Sequence, residues 1–329
     1  MTFEAYPPSQ LMRAMMGAHG WTIFASGNVD VSAHLRLKEV LEKNNVPLGS
    51  SIYLHSPGGS LGGGMALGRL IRQHRLQTRI GRRDPTSKEV SAIAGDCMSA
   101  CAVAYLGGEY RFWKEGSKFG VHRFSLKDKS DNDSDIAQII AAGLIEYIRS
   151  MDVSTDLFTV STRAGAQEIV VPTRERLIEL NVVNNGFKKP IWTIESASAG
   201  IYLKGAQETW NGVNKFLLVC PVKGSMFLHV IFDPGNNAEE VMTFDAESIQ
   251  LGVTALPAGN RKAGKRLING MINATYAVDS TVLHLLQKAS KVGVLMQPTF
   301  EASFFAGFDN MPFADGAKKL EGFLSVCSR

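Results

Sequence analysis

The stretch "SIYLHSPGGSLGGGMALGRLIRQH", residues 51–74, changes from a strand pattern to a helix pattern within one turn. Its first five residues alternate in polarity, with Ile52 and Leu54 on one face, as in a half-buried strand. The proline and glycines that follow favour a tight turn, because proline fixes φ and glycine tolerates positive φ. Leu67 and Ile71 then recur at helical spacing. The stretch therefore predicts a strand–turn–helix unit of an α/β fold.

The same alternation extends to both sides of this stretch. "WTIFASG" at 21–27 and "LQTRIG" at 76–81 each predict a short strand, and "DVSAHLRLKEVLEKN" at 30–44 predicts a helix. "IAQIIAAGLIEYIRSM" at 136–151 predicts a long amphipathic helix. The apolar face of that helix consists of Ile136, Ile139, Ile140, Leu144 and Ile148. This alternation implies a mainly parallel sheet with crossover helices.

The character of the sequence changes near Phe187. Beyond it, short apolar runs such as "KFLLVC" (215–220) and "SMFLHVIF" (225–232) are separated by turn residues. Such runs predict an antiparallel, sandwich-like domain. We therefore expect two domains, an α/β domain at residues 1–187 and a mainly-β domain at 188–329.

The bulk composition of the 329-residue chain excludes several classes of protein. Charged residues make up 20% of it and the net charge is +4, with no basic stripe, so a nucleic-acid-binding role is disfavoured. No apolar run approaches the roughly 18 residues of a membrane span. The opening residues lack the layout of a secretory leader, so we expect a cytoplasmic protein or one whose leader lies outside this chain.

The stretch "GDCMSACAVAYLGG", residues 95–108, places Ser99 between Cys97 and Cys101 at the start of helix-forming residues. Serine is a good helix N-cap, which gives a purely structural interpretation. The other interpretation is a nucleophile at a helix N-terminus, where the amide of the next residue, Ala100, points at a developing oxyanion. His122, at the end of a predicted strand, is likewise either a structural residue or a general base.

In this order, the strand with its "SPGG" turn, the small residues around Ser99 and "GVHR" at 120–123 resemble the proteolytic subunit of the Clp protease. They are more closely similar to the ClpP-like bacterial proteins that are often predicted to be periplasmic. The resemblance covers about the first 187 residues. It implies a ClpP/crotonase-type fold, a serine peptidase acting on a peptide or protein substrate, and a homo-oligomer.

The resemblance also implies roles for individual residues. Ser99 corresponds to the nucleophile of the family and His122 to its general base. Gly59, the second glycine of the turn, and Ala100 correspond to the residues whose amides form the oxyanion hole, and Gly58 belongs to the same substrate-binding turn. We expect no cofactor and no metal, since the four cysteines have no histidine partners at zinc-site spacing.

The sequence departs from the family pattern in three places. The stretch that matches the triad aspartate, "STRAGAQEIVV" at 161–171, has no aspartate, and we predict its one acid, Glu168, as the third member, with Asp152 and Asp156 further back. An extra polar stretch at 81–96 could form a lid, a subunit contact or a simple insertion. The cysteines beside Ser99 are foreign to the Clp protease itself but fit the periplasmic-type relatives.

The cysteines have several interpretations each. Cys97 and Cys101 suit a tight corner as small side chains, which we favour, but a disulfide or a cysteine nucleophile is also open. A bond between Cys220 and Cys327 would close a loop of roughly a hundred residues, worth up to about 5 kcal/mol. The sequence around these two is similar to small β-rich modules of exported bacterial proteins. A bond would place the protein in the periplasm or outside the cell, whereas reduced cysteines would fit the cytoplasm. We predict the periplasmic or secreted location, with the leader not present in this chain and the cytoplasm as the alternative.

The leading functional hypothesis is a serine hydrolase, and specifically a peptidase, with a Ser–His pair and a backbone oxyanion hole. One alternative is a catalytically inactive ClpP-fold protein that serves binding or assembly. Another is a crotonase-type enzyme that uses the same two amides on an acyl thioester. That third hypothesis is disfavoured, because such enzymes work with carboxylates near the thioester and need no serine at this corner.

Overall fold

The chain divides into two units, Met1–Gly186 and Phe187–Arg329, each with its own apolar core. The structure, a computed structural model, describes residues 1–10, 20–124, 133–165 and 168–327. The described helices and strands of the first unit are β1 (Thr2–Tyr6), β2 (Thr22–Ser26), α1 (Ala33–Lys43), β3 (Ser51–His55), α2 (Leu61–Gln73), β4 (Gln77–Ile80), β5 (Arg82–Arg83), β6 (Ala92–Ile93), β7 (Asp96–Met98), α3 (Ala100–Tyr105), β8 (Arg111–Phe112), β9 (Lys118–Gly120), α4 (Asp133–Ser150), α5 (Asp156–Thr162) and α6 (Arg174–Glu179).

The central sheet of the first unit has the strand order β1–β2–β3–β4–β8. Strands β2, β3, β4 and β8 run parallel, and β1 pairs antiparallel with β2 at one edge. Helix α1 connects β2 to β3, and α2 connects β3 to β4. The prediction of an α/β fold with a mainly parallel sheet and crossover helices is therefore confirmed.

The glycines of α2 allow the helix that follows Ser99 to pack closely against it. A Cβ on Gly64 would lie 2.4 Å from the carbonyl oxygen of Ala100, and one on Gly68 would lie 3.3 Å from that of Ala104. These two glycines are one turn apart, so they present the same face of α2 to α3. The small residues of both helices thus fix the position of the chain just after Ser99.

The extra polar stretch of the sequence, residues 81–96, forms a short hairpin and the beginning of β7. Strands β5 and β6 of the hairpin pair antiparallel. Arg83 packs its guanidinium over the ring of Tyr6, 4.8 Å from the ring centroid, and donates a hydrogen bond to the tyrosine hydroxyl. The hairpin is thereby tied to the edge strand β1.

The second unit contains two antiparallel sheets, one of six strands and one of four. Residues of both sheets belong to one core, so the predicted mainly-β region is confirmed. The described helices and strands of the unit, apart from two short 3₁₀ turns, are β10 (Ile191–Ala197), β11 (Gly200–Thr209), β12 (Gly212–Pro221), β13 (Phe227–Phe232), α7 (Ala238–Met242), β14 (Ala246–Leu251), β15 (Thr254–Pro257), β16 (Lys262–Ile268), β17 (Met271–Ala277), α8 (Ser280–Lys288), β18 (Lys291–Gln297), β19 (Ala306–Pro312) and α9 (Ala314–Cys327).

Candidate active site

Ser99 occupies a sharp corner between strand β7 and helix α3. Its backbone has φ 57° and ψ −119°, a region that residues with a Cβ rarely adopt and that costs on the order of 1–3 kcal/mol. The Ser99 amide donates to the carbonyl of Gly120 at 2.8 Å, and its carbonyl accepts from Val103 at 3.2 Å. The hydroxyl makes no capping hydrogen bond to α3. A helix cap therefore does not account for the serine at this corner.

The Ser99 hydroxyl instead faces His122. The distance from Ser99 Oγ to His122 Nε2 is 2.7 Å, and the other ring nitrogen, Nδ1, lies 2.8 Å from the carbonyl oxygen of Arg123. A carbonyl only accepts hydrogen bonds, so the neutral ring carries its proton on Nδ1. Nε2 then presents a lone pair to the serine hydroxyl. This is the tautomer that a general base for Ser99 requires.

The two glycines of the "SPGG" turn lie in different environments. The buried Gly58 amide donates to Ser56 Oγ at 3.0 Å, and the Gly58 carbonyl accepts from Val29 at 2.7 Å. The exposed Gly59 has φ +141°, and a Cβ there would lie 2.2 Å from the carbonyl oxygen of Val29. Within the described part of the chain, the Gly59 amide has no acceptor. Of the two glycines, Gly59 is the one with an amide available to a ligand.

Ala100 provides a second amide at the same place. As the first residue of α3, it has no acceptor one turn earlier within the helix, and no other described residue accepts from its amide. Ala100, Gly59, Ser99 and His122 all line one cavity of about 520 Å³. A hydroxyl, an imidazole and two free amides therefore share one space. Gly58 does not line this cavity, although a Cβ on it would lie only 2.7 Å from Ser99 Cβ.

The rest of the cavity is mainly apolar. Its walls include the first turn of α2 and parts of α3, β9, α4 and α5. Six apolar side chains that line it are buried or half-buried, and they are Val103, Leu106, Phe119, Leu144, Ile148 and Leu157. An extended substrate whose carbonyl reached Ser99 could place an apolar side chain in this space.

The structure does not place Glu168, the predicted third member of the catalytic triad, against His122. The Glu168 carboxylate accepts a hydrogen bond from the Gly165 amide at 3.4 Å, and no hydrogen bond joins it to His122 in the described chain. Asp152 accepts from the side chain of Asn181 at 3.3 Å, and Asp156 lies in the first turn of α5. The group that faces Nδ1 is the Arg123 carbonyl, which sequence reasoning missed because every residue carries such a group.

Both pairs of cysteines form disulfides. Cys97 is bonded to Cys101 across the serine corner, and Cys220 is bonded to Cys327, which ties α9 to β12. The favoured prediction that Cys97 and Cys101 are free, small side chains was therefore wrong about their covalent state, although both are fully buried. A cysteine nucleophile is excluded as well, because a bonded sulfur has no thiolate to attack with.

One solved structure to which this chain is similar is a mutant of ClpP1 from Listeria monocytogenes. The two are 13% identical, the match covers 50% of this chain and 88% of that chain, and the TM-score is 0.39. No protein family and no curated protein matches the chain in sequence.

Among the described residues, no group of three or more histidine, cysteine, aspartate or glutamate side chains could hold a metal ion. None of the described helices is both long enough and apolar enough to cross a membrane.

Proposed function

We propose that this protein is a serine hydrolase that cleaves peptides, with Ser99 as the nucleophile and His122 as the general base. The observation that carries this proposal is the 2.7 Å contact between Ser99 Oγ and His122 Nε2 at a corner with a strained backbone. Strained corners of this kind expose a nucleophile and place it at the start of a helix. A serine with only a structural role has no need of either feature.

In the proposed reaction, His122 takes the proton of Ser99 as Oγ attacks the substrate carbonyl. The developing oxyanion is then stabilised by the amides of Gly59 and Ala100, and one such donor typically contributes about 3 kcal/mol to transition-state stabilisation. The imidazolium returns its proton to the leaving amine, which completes the acyl-enzyme. Water then attacks the ester with His122 again as the base, and Ser99 is released.

The surroundings of His122 support a slow enzyme. The Arg123 carbonyl orients the ring but carries no full charge, so it stabilises the imidazolium less than a carboxylate would. A serine and histidine without an acid retain only part of the rate of a complete triad. This same observation supports the second candidate function, a ClpP-fold protein that binds peptides without cleaving them.

We propose a location outside the cytoplasm. Two bonded cysteine pairs fit an oxidising compartment such as the periplasm, because cytosolic thiols are kept reduced. The homo-oligomer that the family resemblance implies stays a prediction.

The test of the hydrolase is covalent labelling with a fluorophosphonate probe. We expect the unchanged protein to be labelled, and Ser99→Ala and His122→Ala each to reduce the labelling rate by at least 10²-fold. The matched controls are Ser150→Ala, on the exposed end of α4, and His284→Ala, on an exposed face of α8. Both controls should label at the unchanged rate.

The outcomes separate the candidate functions. Labelling that persists in Ser99→Ala would place the reactive serine elsewhere and overturn the proposal. A protein that is never labelled but binds peptides would support the binding protein. Saturable binding of coenzyme A would instead support the thioester enzyme.

A further inference from the structure

We propose that the Cys97–Cys101 disulfide is a positioning element for Ser99, which holds the serine corner in the conformation that aims the hydroxyl at His122. This inference rests on the proposed function, since it concerns how the nucleophile is held. It goes further, because it assigns a role in the reaction rate to a bond that touches no substrate.

The bond joins the two elements that meet at the corner. Cys97 is the central residue of β7, where it pairs with Phe119 of β9 and forms a bridge to Ser56. Cys101 is the second residue of α3. The disulfide therefore connects strand β7 to the first turn of α3, with Ser99 midway between the two cysteines.

The corner needs such a restraint because its backbone is unfavourable. A residue with a Cβ persists at φ 57° and ψ −119° only where its surroundings over-determine the conformation. Glycine would adopt it more easily, but glycine has no hydroxyl. If Ser99 relaxed to an extended conformation, residues 97 and 101 would move apart. The bond keeps their Cα atoms 5.1 Å apart, which an extended chain of five residues cannot match.

The position of the bond fits a local role better than a general stabilising one. A disulfide restricts the unfolded chain more when it closes a longer loop. Cys97 and Cys101 are 4 residues apart, whereas Cys220 and Cys327 are 107 apart. The short bridge therefore adds less to overall stability, while it lies directly beside the residue whose geometry matters. Its sulfurs are fully buried, so it is part of the core beneath the site.

The test compares the variant Cys97→Ala/Cys101→Ala with the matched control Cys220→Ala/Cys327→Ala, which loses one disulfide in the other unit. Labelling by the fluorophosphonate probe is measured as a function of probe concentration. We expect the first variant to lose at least tenfold in the maximal labelling rate with little change in the probe concentration at half-saturation. The control should keep the maximal rate within twofold and unfold at a lower temperature.

A second comparison uses the bond itself. In the Cys220→Ala/Cys327→Ala background, reduction under mild denaturant followed by refolding breaks only the corner disulfide. The reduced, folded protein should label slowly, and reoxidation should restore the rate. This arm also covers the case in which the double alanine variant at the corner does not fold.

A third readout does not depend on turnover. The imidazole nitrogen signals of His122, assigned with His122→Gln, report its hydrogen bond to Ser99 by NMR. We expect these signals to change when the corner bond is removed and not in the control. Equal labelling rates, or unchanged His122 signals, with and without the bond would overturn the inference. An unlabelled protein whose His122 signals still depend on the bond would contradict the hydrolase and leave the positioning role standing.

Discussion

At the imidazole of His122, the group that faces Nδ1 decides which nitrogen carries the proton and how well the charged ring is stabilised. That group is the carbonyl of Arg123, at 2.8 Å. The carbonyl belongs to the next residue along the chain, so the orientation of the ring depends on the local backbone after β9. The histidine can thus be held in the correct tautomer without an acid, at the cost of a less stabilised imidazolium.

We predict that Glu168→Gln leaves the labelling rate of Ser99 unchanged within about twofold. The physical reason is that the Glu168 carboxylate bonds to the Gly165 amide and makes no hydrogen bond to His122 among the described contacts. The measurement is the rate of fluorophosphonate labelling, with His122→Gln as the comparison that abolishes it. A fall approaching 10⁴-fold, as when a triad acid becomes an amide, would show that Glu168 moves to the ring.

The sequence was sufficient to suggest which side chains meet at the corner, but not what holds them. Ser99, His122 and Gly59 lie in distinctive local patterns of the sequence, and the structure places all three around one cavity. The carbonyl of Arg123 has no signal in the sequence, because its role depends on a backbone direction. The sequence left the state of Cys97 and Cys101 open, because a cysteine at a tight corner can be either a free, small side chain or half of a disulfide.

At the scale of elements, helix α4 shows which part of a predicted apolar face is buried in the structure. Its predicted apolar face buries Leu144 and Ile148, which line the cavity. The same face leaves Ile136 and Ile139 exposed, Ile139 at 72%. Helical spacing identifies which side chains share a face, but it carries no information on how far along the helix the neighbouring elements extend.

Two arginines bind the turn that follows α3, a contact that residue spacing alone does not predict. Arg72 donates to the carbonyl of Gly107 at 2.8 Å, and Arg111 donates to that of Gly108 at 2.6 Å. Arg111 is fully buried and also donates to the carbonyls of Asn181 and Val182. Burial lowers the pKa of Arg111 to about 10, so the guanidinium remains charged at neutral pH. Arg111 therefore joins the turn after α3 to the chain at Asn181 and Val182, near the end of the first unit.

We therefore predict that Arg111→Lys destabilises the first unit by about 3 kcal/mol. A lysine cannot donate in all the directions that the guanidinium uses, so it leaves buried carbonyls without a donor. The measurement is the free energy of unfolding in urea. Arg149→Lys, exposed on α4, is the matched control and should change that free energy by less than about 0.5 kcal/mol. A loss for Arg111→Lys as small as the control's would contradict the proposed role.

At the scale of the whole molecule, the two units differ in how their cores are secured. The first closes around the serine corner, with a disulfide that spans five residues. In the second, Cys220–Cys327 ties the last helix to the six-stranded sheet, and Trp192 packs edge-on against Phe313 with its ring centroid 4.8 Å away. The change of pattern near Phe187 was visible in the sequence, because strand alternation replaces the helical period there. The pairing of the strands into two sheets was not visible in the sequence, because each short apolar run could pair with several others.

The second unit also carries a histidine whose protonation opposes folding. On β13, the ring of His229 lies 2.9 Å from the hydroxyl of Thr275 and 3.3 Å from the side-chain oxygen of Asn273. Burial lowers the pKa of His229 from its ordinary value of 6.5. As the pH falls through 6.5, the unfolded chain therefore binds a proton that the folded chain does not yet bind.

We predict that the second unit loses stability as the pH falls from 7.5 to 5, and that His229→Gln removes part of this loss. The sign follows from linkage: where the unfolded state binds more protons, the free energy of unfolding decreases as the pH falls. The loss ends below the folded-state pKa of His229, where both states are protonated. A hydrogen bond from Lys204 lowers the pKa of the Glu195 carboxylate to about 2 from an ordinary value of 4.5. Protonation of this acid therefore causes a further loss of stability as the pH falls below about 4.5, outside the range in which His229 acts.

The measurement is urea unfolding of the full chain at several pH values, followed by the fluorescence of Trp192 and Trp210 in Trp21→Phe/Trp113→Phe, so that the signal comes from the second unit. His284→Gln, at an exposed histidine on α8, is the matched control and should keep the slope of the unchanged protein. If His229→Gln and the unchanged protein lost the same stability over this range, the His229 ring would bind its proton equally well in the folded and the unfolded chain, and the prediction would be wrong. The partial burial of the ring beside Thr275 and Asn273 would then have no effect on its proton affinity.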